Sequence, residues 1–266
     1  MKSNRKYLII GKVSLKNAMA YRGTFIISML GGFVLVISQF YIWNAIYSKH
    51  NEIGGYSWDE MKSYLLIMFI TNSLLSWYSE MAISQKILDG SVAMDLLKPL
   101  DFQKARLAET VGASIFESIL GTLVASVIII IFEGITSPTN LATWLLFVSS
   151  LLISAWTKFG IIYIAGLFCF WTSNPYGVAW VRAAITNLLS GALVPLSLFP
   201  KWLETITAYL PFRGIVFVPA TIFLNRINGQ AAVQEIAVQF IWAVLLWLAG
   251  RAIWSRAVRQ ITIYGG

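Results

Sequence analysis

Apolar and polar positions along this chain segregate into blocks the length of whole helices. Apolar runs over residues 25–47, 62–84, 107–132, 141–171, 181–199 and 232–254 are divided by polar connections. Roughly 20 apolar residues cross a hydrocarbon core of about 30 Å at 1.5 Å per residue. The pattern therefore predicts six transmembrane helices in an all-α polytopic membrane protein, with residues 1–266 forming a single transmembrane domain.

The connections carry start and stop signals. Ser57 with Glu60 three residues on forms a capping-box pattern that starts the second span. Gly31 and Gly32 lie inside the first span, where small residues allow close helix contact. Ser173-Asn174-Pro175 closes the fourth run with turn chemistry. Within residues 200–231, Pro200, Pro211 and Pro219 cut an apolar sequence into pieces of about ten residues, too short to cross. These pieces predict a re-entrant hairpin or interfacial helices between spans five and six, their backbone buried in protein or facing water.

Residues 85–106 depart from both patterns. Three acids (Asp89, Asp95, Asp101) and two lysines (Lys86, Lys98) put this loop in water, yet Val92, Met94, Leu96 and Leu97 offer an apolar face. Gly90 breaks the incoming helix, and Ser91 is placed to cap a new one. Val92 with Leu96, and Ala93 with Leu97, stack four apart on adjacent rows. Pro99 disfavours a helical conformation at Lys98. A helix of under two turns results, too short to be stable alone, and it needs a partner surface.

Residues 1–24 read differently again. Residues 2–22 hold six bases and no acid. Arg5, Lys12 and Lys16 are spaced by seven and four, so a helix aligns them on one stripe, flanked by Leu8 and Met19. An interfacial helix near anionic headgroups is expected. No cleavable signal peptide is evident.

Composition agrees with the membrane reading. Hydrophobic residues make up 58% of the 266 and charged ones 12%, against about 25% charged in a soluble domain. A net charge of +8 invites a nucleic-acid partner, but the bases cluster at span ends. With six spans, one side of the membrane receives fourteen of the twenty bases and the other five, with Lys158 inside a span. The excess places both termini and the 85–106 loop in the cytoplasm, and residues 200–231 outside. Membrane lipids, not nucleic acid, are the expected surroundings.

Candidate chemistry is sparse. The sequence has no phosphate-binding loop of the Gly-x-x-x-x-Gly-Lys-Ser/Thr kind, no His-Glu-x-x-His and no Gly-x-Ser-x-Gly elbow. The one histidine, His50, falls in an external connection, and the one cysteine, Cys169, in an apolar run, so no metal site is expected. Glu80, Glu117 and Lys158 are ionisable residues within spans, where charge is costly and usually faces protein or a cavity. Glu117, Lys158 and the polar Asn187 are the pathway candidates. Glu80 at the inner interface, with a snorkelling or structurally paired Lys158, is the competing reading. Trp43, Trp58, Trp77, Trp171, Trp202 and Trp254 fall mostly near span ends, as an interfacial belt does.

Several segments, in order, resemble the membrane subunit of ABC type-2 transporters: Ala20-Tyr21-Arg22, Ile53-Gly54-Gly55-Tyr56-Ser57, Asp95-Leu96-Leu97-Lys98-Pro99-Leu100, the stretch from Leu189 to Leu203, Leu210-Pro211-Phe212 and the Gly265-Gly266 ending. The resemblance is to a bacterial branch with a separate ATPase and usually a second related permease. That branch commonly has arginine where Lys98 stands. The resemblance implies the ABCG-like exporter fold, with external re-entrant helices between spans five and six, and a permease subunit in the bacterial cytoplasmic membrane, non-catalytic, with ATP and Mg bound by the partner ATPase and no cofactor on this chain. It implies a cytoplasmic ABC ATPase and a second permease, as heterodimer or homodimer, as partners. ATPase coupling then falls to Leu88, Asp89, Gly90, Val92, Asp95, Leu96, Leu97, Lys98 and Pro99, with Arg5, Lys12 and Lys16 of the basic helix. The cavity walls would come from spans two and five, and drugs, lipids or peptides would suit an apolar, aromatic-rich cavity. An ion-coupled secondary transporter using Glu117 is the alternative, and a membrane enzyme or scaffold a third.

Overall fold

The structure, a computed structural model, describes residues 2–74 and 77–260, with side chains for 5–74 and 81–259. Among these residues, α2 (Arg22–Tyr47), α6 (Phe102–Ile131), α7 (Leu141–Leu167, extended by a 3₁₀ turn to Phe170) and α11 (Gly229–Ala257) are long and apolar enough to cross a membrane. They coincide with the first, third, fourth and sixth apolar runs. α7 and α11 pack along much of their length. Gly250 meets the Tyr163 ring and Gly160 meets Leu246 at their contact.

The other two runs fold into shorter pieces. Residues 62–84 do not form one helix: α3 (Trp58–Ser73) ends in a turn at Leu74, and α4 (Trp77–Leu88) follows. The fifth run shifts toward the N-terminus as α8 (Pro175–Leu189). Asn174 starts α8 early because its side chain accepts from Gly177 N at 2.9 Å and Pro175 occupies the first turn. Gly191, at φ 83°, then turns the chain away after Ser190, and its carbonyl accepts from the Tyr64 hydroxyl at 2.7 Å.

Between α8 and α11 lie α9 (Lys201–Ala208), a 3₁₀ turn at Pro211–Gly214 and α10 (Phe217–Phe223). Every residue of α10 is buried, in a core that includes Tyr56, Tyr64, Ile67 and Phe132. Side chains satisfy the irregular backbone around it. Gln239 Nε2 and Ser154 Oγ each donate to Gly214 O at 2.6 Å, and Ser150 Oγ donates to Gln239 Oε1 at 3.0 Å. Buried non-helical backbone requires such partners.

The connection after α2 is a tight hairpin. β1 (Glu52–Ile53) and β2 (Tyr56–Ser57) pair antiparallel around Gly54 and Gly55, at φ 57° and 80°. Positive φ at both central residues is what such a two-residue turn demands. The capping box forms: Glu60 N donates to Ser57 Oγ at 3.3 Å and Ser57 N to Glu60 Oε2 at 2.9 Å. Arg226 clasps the hairpin, donating to Gly55 O and to Glu60 at 2.8 Å while lying 3.7 Å above the Tyr56 ring.

α1 (Lys2–Ala20) runs alongside the first half of α6, in the same direction. Tyr7 pairs with Asp101, Ser14 with Glu109, and Ala18 packs in one cluster with Ala113. Gly11 lies against Gly112 and Ala108 so closely that the two backbones touch. At 30 residues, α6 is about 45 Å long, roughly 15 Å more than the hydrocarbon core.

Candidate coupling surface and transport cavity

The corner between α4 and α6 is built on Gly90. At φ 74° it turns the chain after Leu88, and α5 (Val92–Leu96) follows. Ser91 occupies the cap position but its side chain makes no capping bond; instead Asp89 Oδ1 accepts from Ser91 N at 2.8 Å. This aspartate turn stabilises the reversal that the cap was expected to make.

α5 splits its apolar residues between two environments. Val92 is buried among Ile83, Ile87 and Phe102. Leu88, Met94, Leu96 and Leu97 face outward, Leu97 at 79% exposure. A helix of five residues holds this face because its polar side is anchored. Asp95 pairs with Lys98 at 2.7 Å, Lys86 at 3.1 Å and Arg106 at 3.3 Å. Partial burial pushes the Asp95 carboxyl up, but hydrogen bonds from Lys98 and Lys86 and the Arg106 charge outweigh it and hold it below the usual carboxylate range. Arg106 is itself buried, pairs with Glu109 at 2.6 Å and lies over the Phe102 ring. Phe102 stacks on Trp254 of α11 with centroids 4.0 Å apart.

Five elements, α1, α4, α5, α6 and α11, meet at this corner. Asp101 caps α6 through Lys104 N at 2.9 Å, pairs with Arg251 of α11 at 2.9 Å, and donates its own N–H to the Tyr7 hydroxyl at 3.1 Å. Lys6 donates to the Pro99 carbonyl. The corner thus brings Leu88, Asp89, Gly90, Asp95, Leu96, Leu97, Lys98 and Pro99 together with the start of α1. Arg5 belongs to that neighbourhood. Lys12 and Lys16 are exposed, but Lys16 lies about 14 Å beyond Tyr7 along the α1 axis, away from α5. Sequence reasoning did not single out Arg106 or pair Lys86 with Asp95. Their separation from Asp95, eleven and nine residues, becomes a contact only through the turns at Gly90 and Pro99.

A cavity of about 540 Å³ opens between α2, α3 and the α8 end, lined in part by Gly31, Gly32, Gln39, Phe69, Asn72 and Asn187. Of the three pathway candidates, Asn187 lines it. Gly31 meets nothing and Gly32 only the Phe69 ring, so these glycines widen the cavity and do not bring helices together as expected. Lys158 supports the wall from behind: buried on α7, it donates to Asn72 O at 2.9 Å and Thr71 O at 3.3 Å. It is structurally paired, with the end of α3 as its partner. Glu117 is buried on α6, and its charge acts on Lys158 together with that of Arg182. Cys169 is buried in the α7 core. The expectation for Glu80 lies outside the described side chains, and the Gly265-Gly266 ending outside the described residues.

The long apolar helices define a multi-pass membrane protein. The family model described as ABC-2 family transporter protein matches residues 17–265, nearly the whole chain, and the chain belongs to that family. It is an ABC transporter permease of the type-2 class. No curated protein matches it.

Proposed function

We propose that this chain is the permease subunit of an ATP-driven bacterial exporter, powered by a separate cytoplasmic ABC ATPase. The observation that carries this reading is the outward apolar face of Leu88, Met94, Leu96 and Leu97, held by the Asp95 ion pairs on an otherwise polar corner. Four exposed apolar side chains, two on the braced five-residue helix α5 and two flanking it, complement a protein surface better than water. Force applied there passes directly into α4, which continues the second span, and into α6 and α1, which bond to the corner.

In this reading α3 with α4 forms span two and α8 span five, giving six spans with both termini cytoplasmic. α9, the Pro211–Gly214 turn and α10 form the external re-entrant segment; the complete burial of α10 supports this. The cavity between α2, α3 and α8 is one half of the substrate path. A second permease subunit, identical or related, closes it across α8, where Ala179 and Thr186 are the buried residues. The lining, apolar with Gln39, Asn72 and Asn187 among it, suits amphipathic drugs, peptides or lipids.

The test is co-purification of the tagged chain with its ATPase and cargo-stimulated ATP hydrolysis in nanodiscs. Asp95→Lys with Leu97→Glu is expected to abolish both. Retention of association and ATP-dependent export in that double variant would overturn the assignment of the coupling surface.

A further inference from the structure

A second cavity, of about 410 Å³, lies between α1 and α4 over a floor of α6. Its two ends differ. One end holds Lys86, Arg106 and Glu109, level with the corner that carries α5. From there α4 and α6 both run toward Ala82 and Ala113, and α1 supplies Ile9, Ile10 and Val13 along the side. The groove is therefore charged at the corner end, and farther in Val13, Ala82 and Ala113 alternate with the uncharged polar Ser14, Asn17 and Thr110.

The groove's own lining carries Lys86 and Arg106 against Glu109. Glu109 is engaged by Arg106, and its main-chain carbonyl by Ser14 at 2.6 Å. Lys86 spends one hydrogen bond on Asp95 and is part-exposed, so its ammonium has two further N–H donors to offer. The exposed Arg5, Lys12 and Lys16 on the neighbouring stripe, in a helix without acids, add positive potential around the opening.

We infer that this groove binds an anionic phospholipid of the inner leaflet, its phosphate at Lys86 and an acyl chain between α1 and α4. The inference rests on the cytoplasmic placement of the corner proposed above. Free phosphate shares the headgroup chemistry, but the apolar flank of Ile9, Ile10 and Val13 has use only for a chain. Because Lys86 also holds Asp95, an occupied groove is linked to the bracing of α5: the phosphate and the Asp95 carboxylate share one ammonium.

The experiment uses the full-length chain, delipidated in detergent and titrated with dioleoylphosphatidylglycerol, dioleoylphosphatidylcholine or inorganic phosphate, with bound lipid counted by native mass spectrometry. Saturable retention of phosphatidylglycerol over phosphatidylcholine is expected. Lys86→Gln should weaken it about fivefold, the contribution of one lysine near anionic headgroups. Val13→Trp, at the exposed rim, should weaken it by blocking the groove and leaves every charge in place. Equal binding of the two lipids, unchanged phosphatidylglycerol binding in both variants, or complete displacement by inorganic phosphate would overturn the inference. The topology is read separately: labelling of Lys12→Cys by a membrane-impermeant maleimide from the external side alone would overturn the placement of the corner, whatever lipid the detergent-solubilised chain retains.

Discussion

The Lys158 ammonium donates to the Asn72 carbonyl at 2.9 Å, so a residue in the interior of α7 holds the last turn of α3. The final carbonyls of a helix have no partner within it, and they carry the negative end of its dipole. A buried cation at that place satisfies both. Lys158→Met leaves the Thr71 and Asn72 carbonyls without this donor, and a loss of about 1–3 kcal/mol is expected. In a chain of this length, that lowers the unfolding midpoint by several degrees, on the order of 2–4 °C per kcal/mol. Thermal unfolding in detergent measures it; an unshifted midpoint would show that the carbonyls find other partners.

The two faces of α5 make opposite predictions. Val92→Asp places a carboxylate in the cluster of Ile83, Ile87 and Phe102, and should prevent stable folding of the corner. Leu97→Asp touches a side chain that is 79% exposed and should change stability by no more than about 0.5 kcal/mol. Its effect should appear only in ATPase association. Loss of thermal stability in Leu97→Asp would mean that the chain itself covers this face.

Asp95 gives the corner a pH dependence of defined sign. Its carboxyl titrates below the ordinary value when folded, so its contribution is fully present above the unfolded value and is lost as pH falls through the folded one. The window therefore lies at and below about pH 4, the ordinary aspartate value. Wild type should exceed Asp95→Asn in midpoint at neutral pH, and the gap should close as the pH drops through that window. A gap that does not narrow at all as the pH falls below about 4 would contradict the ion-pair account.

The α1–α6 contact depends on having no side chain at Gly112. A Cβ there would overlap the Gly11 backbone, which cannot yield as a flexible side chain would. Gly112→Ala should push α1 off α6 at a cost of about 1–3 kcal/mol. Gly31→Ala, where a Cβ meets nothing, is the control and should be close to neutral. Limited proteolysis within residues 2–20 should accelerate in the first variant and not in the second.

Features set by adjacent residues were legible in the sequence. The Ser57–Glu60 box, the limits that Gly90 and Pro99 place on α5, and the turn at Ser173-Asn174-Pro175 all depend on local chemistry, and local chemistry is written contiguously; the helix that starts at that turn was expected only from residue 181. Relationships across turns were not. Val92 reads as part of one apolar face with Leu96, but the angle at Gly90 buries it and leaves Leu96 outside. Residues 62–84 read as one span because hydropathy carries no trace of a break that Lys158, more than 80 residues away, helps to hold. Gln239 and Tyr64 escaped notice for a similar reason: their partners are the Gly214 and Gly191 carbonyls, and a backbone acceptor leaves no mark in the sequence.

α7 is joined to α11 by close glycine contacts and by the Gln239 network. α8 instead meets the rest of the chain along one edge, where Ala179 and Thr186 are buried, and leaves Tyr176, Trp180 and Val181 on its outer side. The cavity between α2, α3 and α8 thus ends at a helix whose exposed far face can serve as common ground with whatever stands beside it.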